Sequence, residues 1–232
     1  MSVFQSFMDA FRSRTDNSHF HTPTEIVAPE GKPAISLRPL REEDDIEWNT
    51  LRYNNRDWLE PWESGDPMHG QGISFSQWVR RERELAEAGS EIVFMVEFEG
   101  RIVGQISLGA ICYGSMRTGT VGYWIDHNHA GLGFTPLALA MLADWAFGAI
   151  DGPRLHRLEI DILPSNNRSK RVVEKLGIPR EGLRREYMYI NGEWRDHEAY
   201  ALLLSDVENT VVDRLGDSVT SDQERPERTR SR

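Results

Sequence analysis

Between Gly119 and Phe147 the chain changes its periodicity twice. GTVGYWID, residues 119–126, alternates as a strand does, NHAGLGF, residues 128–134, carries two glycines, and TPLALAMLADWAF, residues 135–147, runs on the helical period. A strand that hands over to a helix through a glycine-rich loop belongs in a layered α/β or α+β domain. Thr135 is the expected N-cap of that helix and Pro136 its first residue, where the missing N–H of proline costs nothing. The longest apolar stretches, such as LALAML at 137–142, fall far short of the ~20 residues that a membrane span needs.

The flanking segments follow the same pattern. AISLRPL at 34–40 reads as a first strand, and the acidic REEDDIEW after it suits the first turn of a helix. Ser74 with Gln77 forms a capping-box signal for a helix to about Ala88, stopped by Gly89. EIVFMVEFEGRIVGQISLGAI holds two alternating runs about Glu99-Gly100 and reads as a hairpin, with GTVGYWID completing an antiparallel meander. RLEIDIL at 157–163 returns to strand, SNNRSKRVVEKLG is a helix closed by Gly177, and EYMYINGEWRDH is a hairpin turning on Asn191-Gly192. The sum is one α/β (α+β) domain over residues 34–210, with a mostly antiparallel sheet in front and a βαβα unit behind.

Residues 1–33 read as an N-terminal extension and linker. Val3, Phe4, Phe7, Met8 and Phe11 form an apolar stripe at helical spacing, expected to dock on the parent domain, and TPTEIVAPEGKP reads as linker rather than as a folded element. Residues 211–232 end in SVTSDQERPERTRSR, which has too few apolar side chains to offset its ordering entropy, so a disordered charged tail is expected there. With 27 Lys+Arg against 37 Asp+Glu, the net charge of −10 argues against non-specific binding to a phosphate backbone. No membrane association and a cytoplasmic location are expected, since the first residues lack a basic region followed by an apolar one. The single cysteine, Cys112, excludes an intrachain disulfide and reads as a buried structural thiol.

The chemistry concentrates at two places. At Gly131-Leu132-Gly133-Phe134 the glycines let backbone N–H groups turn toward an anion, and the helix N-terminus adds partial positive charge. The loop lacks both GKS/T and GxGxxG, so any phosphate it cradles belongs to a group other than those that the Walker and dinucleotide loops bind. After the strand 157–163 comes Pro164, which breaks pairing, then Asn166 and, one helical turn on, Ser169. Asn166 offers donors and an acceptor to an extended amide-containing ligand, and Ser169 shares its helix face.

Three ordered segments, GYWIDHNHAGLGFTPLAL, LHRLEIDILPSNNRSKRVVEKLG and EGLRREYMYINGEWRDHEAYAL, resemble the GCN5-related N-acetyltransferase (GNAT) family, most closely its ribosomal-protein alanine N-acetyltransferase (RimJ/RimL-like) branch. The earlier NRDWLEPWE is similar to that branch too, and the resemblance covers about residues 34–205. It implies a GNAT fold, a mixed and mostly antiparallel central sheet flanked by helices, and an acetyl-CoA-dependent transfer to an amine acceptor. It also implies that the strand at Trp124, Ile125 and Asp126 pairs with the pantetheine arm, and that Gly131, Leu132, Gly133, Phe134 and Thr135 hold the pyrophosphate. Asn166 would contact the pantetheine or the reacting centre, and Ser169 would sit near the thioester sulfur. Two positions depart from the family pattern. Asn128 stands where the loop usually begins with Gln or Arg, and Val173 stands where many relatives carry a tyrosine general acid, which leaves Ser169 as the acid.

Transfer to an amine needs a neutral amine, a polarised thioester carbonyl and a protonated leaving thiolate. Backbone N–H groups near Ile125 and Asp126 are candidates for the second task. Glu186, on the strand before the Asn191-Gly192 turn, is the first candidate for the base, with a solvated strand charge as the equal alternative. Glu159 and Asp161 share a strand face and either attract a cationic acceptor or face solvent. His127 and His129 make a poor metal site, and no metal is expected. His156, Arg157, Arg168, Lys170 and Arg171 read as solvated charges, with contact to the CoA 3′-phosphate as the alternative. Trp48, Trp58 and Trp62 read as core first, and Trp58 and Trp62 also as groove lining. The expected acceptor is the α-amine of a protein or peptide N-terminus. A polyamine, an antibiotic or a free amino acid remains open as the acceptor, as does a non-catalytic CoA-binding sensor, and the chain is compatible with a monomer or a homodimer.

Overall fold

The alternating runs become strands and the helical runs become helices. In the computed structural model, which describes residues 20–68 and 72–216, the strands are β1 (Ile26–Val27), β2 (Ile35–Pro39), β3 (Ile92–Phe98), β4 (Arg101–Cys112), β5 (Thr118–Ile125), β6 (Arg157–Ile162), β7 (Arg180–Ile190) and β8 (Glu193–Leu203). They form one sheet in the order β1-β2-β3-β4-β5-β6-β8-β7, antiparallel throughout except for the parallel pair β5 and β6. The helices are α1 (Asp45–Asn54), α2 (Arg56–Leu59), α3 (Phe75–Glu87), α4 (Phe134–Gly148) and α5 (Asn167–Lys175). Both two-residue hairpin turns, Glu99-Gly100 and Asn191-Gly192, have positive φ at both positions, the type I′ geometry that matches strand twist. The box at α3 closes as its sequence implies, with the Gln77 N–H donating to Ser74 Oγ at 3.2 Å and the Ser74 N–H to Gln77 Oε1 at 2.8 Å.

Alternate residues of β3 face two layers. Ile92, Phe94 and Val96 pack with α4 in the main core, while Val93 and Met95 pack with Val79 of α3 in a second cluster that Trp48, Phe75 and Trp78 border. α4 is apolar on every side and buries twelve of its fifteen residues, as a helix enclosed by other elements must. Its one charged residue, Asp144, accepts from the N–H groups of Val211 and Val212 at 2.6 and 3.1 Å and so fastens the chain after β8 to the helix. On the other layer Arg38 of β2, 6% exposed at its side chain, makes a bidentate contact with Asp44 at 2.8 Å and meets Glu97 at 2.9 Å, which ties the start of α1 to β2 and β3.

Four expectations need correction. Ile26 and Val27 are not linker, because they pair with Leu37 and Ser36 as β1, and Phe20 reaches the main core against Trp145. The segment 211–216 is not tail, because Val211 and Val212 are buried and Val212–Leu215 forms a 3₁₀ turn held by Asp144. α4 starts two residues earlier than expected, with Gly133 at φ 84° as its N-cap, so Thr135 lies inside the first turn. Cys112 is half-buried rather than buried, since the β4–β5 register shifts between Gly109 and Cys112. The stripe at residues 3–11 and the charged end after 216 lie outside the described residues.

Glu82 of α3 receives the Trp78 indole N–H at 2.9 Å on Oε1, while its Oε2 is buried without a partner. Burial, and then the nearby charge of Glu91, push its carboxyl up to about 7. The fold thus favours the protonated acid, so the contribution of Glu82 is full below its ordinary value of 4.5 and is lost as pH rises through about 7. Glu82→Gln is expected to leave chemical denaturation at pH 4.5 nearly unchanged and to stabilise the protein at pH 8. Solvent screening of a partly buried group limits the gain to roughly 1–2 kcal/mol.

Candidate active site

β5 and β6 pair over Thr118–Thr120 against Arg157–Glu159 and then part. β5 continues beside β4 to Ile125, and β6 continues beside β8 to Ile162. A cleft of about 570 Å³ opens between them, lined on one arm by Tyr123, Trp124 and Ile125 and on the other by Asn166, Arg168 and Ser169. β4 allows the first arm to lie close because residue 104 is glycine: a Cβ there would stand 2.5 Å from the Trp124 carbonyl oxygen.

The glycine loop forms part of the cleft wall. Gly131 and Gly133 have φ of 86° and 84°, and a Cβ on either would meet nothing within 4 Å, so the requirement for glycine is dihedral and the space beside the loop is open. Gly133, Phe134 and Thr135 line the cleft with Gly131, whereas the Leu132 side chain is exposed and does not. Arg168, Arg171 and Lys175 add three cations to the lining from one side of α5. Lys170 turns away to the Pro164 carbonyl at 2.7 Å, and Arg157 is held by Glu159 and Glu181. The expected basic cluster is therefore divided between the cleft and the sheet surface.

Asn166 is the N-cap of α5. Its Oδ1 accepts from the Ser169 N–H at 3.1 Å, which fixes the first turn without using the Ser169 hydroxyl, and Ser169 lines the cleft. The half-buried Tyr123 donates its hydroxyl to the Ser169 carbonyl at 3.3 Å and joins the two arms, and desolvation holds that phenol well above its ordinary pKa. The Trp58 indole N–H donates to the Ile125 carbonyl at 3.1 Å, and the Arg168 guanidinium lies 3.8 Å over the Trp58 ring. Trp58 and Trp62 thus line the cleft, whereas Trp48 packs against Trp78.

Asp126 has a different place from the one expected. Its backbone N–H donates to the Val103 carbonyl at 2.8 Å and is already used, so it cannot polarise a bound carbonyl. Its buried carboxylate accepts from Asn55 Nδ2 at 2.8 Å and meets His129 Nδ1 at 2.7 Å, while Asn55 Oδ1 accepts from the His127 N–H at 2.8 Å. Burial alone would raise Asp126, yet Asn55 and His129 hold it below the ordinary carboxylate value. This network joins the bend between α1 and α2 to the start of the glycine loop. The two histidines belong to it, and among the described residues no group of three metal-ligating side chains is found.

Glu186 is not brought into the cleft. It sits exposed at a β7 bulge with φ 47, where its N–H donates to Asp196 Oδ1 at 2.8 Å. Glu159 and Asp161 also lie outside the lining, and Arg184 bridges both. Burial opposes the charge of Glu159, but Arg184 and Arg157 keep it below its ordinary value, whereas burial pushes Asp161 up despite Arg184. Sequence reasoning missed Arg52, Glu63 and Tyr123, all on the cleft wall. Tyr123 looked like any core-facing member of an alternating run, and the two charges resembled surface residues between aromatic ones.

The parted parallel strands, the glycine loop and the cap of α5 meet at one cleft, and the comparisons give the class of protein that carries it. Residues 35–178 match the family model described as an acetyltransferase (GNAT) domain, and the chain belongs to that family as an N-acetyltransferase. It is 33% identical over 181 residues to the probable N-acetyltransferase YjcK of Bacillus subtilis, covering 75% of this chain and 96% of that one. It is 28% identical to the [ribosomal protein uS5]-alanine N-acetyltransferase of Escherichia coli over 68% of this chain and 83% of that one. The structure of Mycobacterium smegmatis RimJ in complex with CoA-disulfide superposes with a TM-score of 0.77 at 30% identity, covering 85% and 95% of the two chains. Among the described residues no helix is long and apolar enough to cross a membrane.

The cap gives the site a direct test. Asn166→Ala is expected to lower stability by ~1 kcal/mol in urea denaturation, and Asn166→Asp, which keeps the capping oxygen, to recover most of it.

Proposed function

We propose that the chain acetylates the N-terminal α-amine of a protein or peptide, with acetyl-CoA as donor. The observation that carries this reading is the joint placement of the glycine loop, the parted strand β5 and Ser169 on one cleft. The strand separation leaves the cleft side of β5 available to an extended amide-bearing arm, and such an arm suits backbone pairing. The loop at 131–135 and the cations Arg168, Arg171 and Lys175 suit the phosphates, so local groups hold a polyanion on a chain whose net charge is −10. The acceptor assignment draws support from the printed activities of relatives, a uS5-alanine and a ribosomal-protein-serine acetyltransferase of Escherichia coli.

In this reading the neutral amine attacks the thioester carbonyl carbon, the C–N bond forms and the C–S bond breaks. The sulfur leaves as thiolate and takes a proton from the Ser169 hydroxyl, which is replenished by the proton lost from the acylated nitrogen. Because Asn166 caps the backbone N–H of Ser169 and not its hydroxyl, Ser169→Ala preserves the turn.

Ser169→Ala is expected to lower kcat about 10- to 1000-fold with little change in CoA affinity. An unchanged rate removes Ser169 as the acid. Incubation with acetyl-CoA and a panel of Ala- and Ser-initiated peptides, spermidine and free amino acids, read by mass spectrometry, tests the acceptor. Acetylation of the small amines alone overturns the peptide reading, and calorimetric CoA binding with no turnover on any amine indicates a sensor.

A further inference from the structure

An α-amine is protonated near neutral pH, so an acceptor must lose a proton before it attacks, and a carboxylate at the cleft mouth is suited to take it. Among the described residues that line the cleft, Glu63 is the one carboxylate. Its backbone is held on both sides: Asn191 N–H donates to the Glu63 carbonyl at 3.0 Å, Ser64 bridges Ile190, and Gly65 N–H donates to the Tyr189 carbonyl at 3.0 Å. Its side chain pairs with the Arg52 guanidinium, which lies 5.7 and 5.3 Å from the ring centres of Trp48 and Trp124. Trp124 belongs to β5, so the ion pair is referenced to the strand that bounds the cleft. The Glu63 side chain is 53% exposed, which leaves room for an incoming ammonium and a route for its proton to water.

We infer that Glu63, positioned by Arg52, receives the acceptor ammonium and takes its first proton. This inference rests on the N-acetyltransferase reading above and assigns the base within it. The ammonium gives one proton to the Glu63 carboxylate, which passes it to solvent. The freed lone pair forms the C–N bond as C–S breaks, and the second proton from nitrogen ends on the CoA sulfur through Ser169. A carboxylate beside a guanidinium also matches an ammonium with a carbonyl next to it, as at a peptide N-terminus. A polyamine would set its second cation against Arg52.

The test is Glu63→Gln in the full chain, with Glu60→Gln, an exposed neighbour, as control. An Ala-initiated peptide is the acceptor, kcat is measured from pH 6 to 10, and CoA affinity is measured by calorimetry. The expected result is a loss of kcat of about 10²- to 10⁴-fold at pH 7 with CoA affinity unchanged. The variant should regain rate as pH approaches the pKa of the peptide amine, while the wild type levels off earlier. A wild-type rate and pH profile in Glu63→Gln overturns the inference, as does a loss confined to Glu186→Gln or a parallel loss of CoA binding that marks a structural role. A wild-type protein that binds CoA but acetylates no amine overturns the enzyme reading itself, an outcome visible before any variant is made.

Discussion

The structure depends on where two parallel strands stop pairing. Three residues of contact between β5 and β6 close the sheet, and the divergence beyond Thr120 opens it again. Parted strands carry unpaired backbone groups, which cost free energy unless a ligand, water or side chain meets them. Trp58 meets one of them at the Ile125 carbonyl. The rest of the fold maintains the opening: Gly104 lets β4 follow β5 closely, β8 pairs with β6 along its other edge as far as Ile162, and Tyr123 bridges from one arm to the carbonyl of Ser169 on the other.

Two walls of the cleft are mechanically joined. Asn55 stands where α1 ends, 1% exposed, and its amide is shared among Leu51, Asp126 and His127. A fully satisfied buried network of this kind is rigid, because loosening any member strands a polar group out of water. The wall carrying Trp58, Trp62 and Glu63 is therefore set by the same contacts that set the start of the glycine loop. Binding energy gained on one side can be used to orient groups on the other.

Much of this was legible from periodicity and turn chemistry. The strands from β2 to β8, the hairpins at Glu99-Gly100 and Asn191-Gly192, the Ser74 cap and the glycine closures at Gly89 and Gly177 follow local rules that a short window contains. β1 was not legible, because two residues between prolines carry no period. The core role of Val211 and Val212 was hidden by the charged sequence around them. At the site, the glycine loop, Asn166 and Ser169 were legible as motifs with local spacing. Glu186 was chosen for its strand position, and the bulge that leaves it exposed depends on register with β8, which no local pattern expresses.

The sequence by itself determined most of the elements, the family and the glycine loop that opens a helix, because backbone dihedral needs and apolar periods are properties of neighbours in the chain. Only the tertiary structure decided which charges share the cleft. Arg52 and Glu63 pair across a helix break, Arg157 and Arg184 neutralise the strand carboxylates, and Asp126 turns inward to Asn55. A side chain acquires a chemical role from the groups within a few ångströms of it and from the water it keeps or loses, and both are set by elements far apart in the chain.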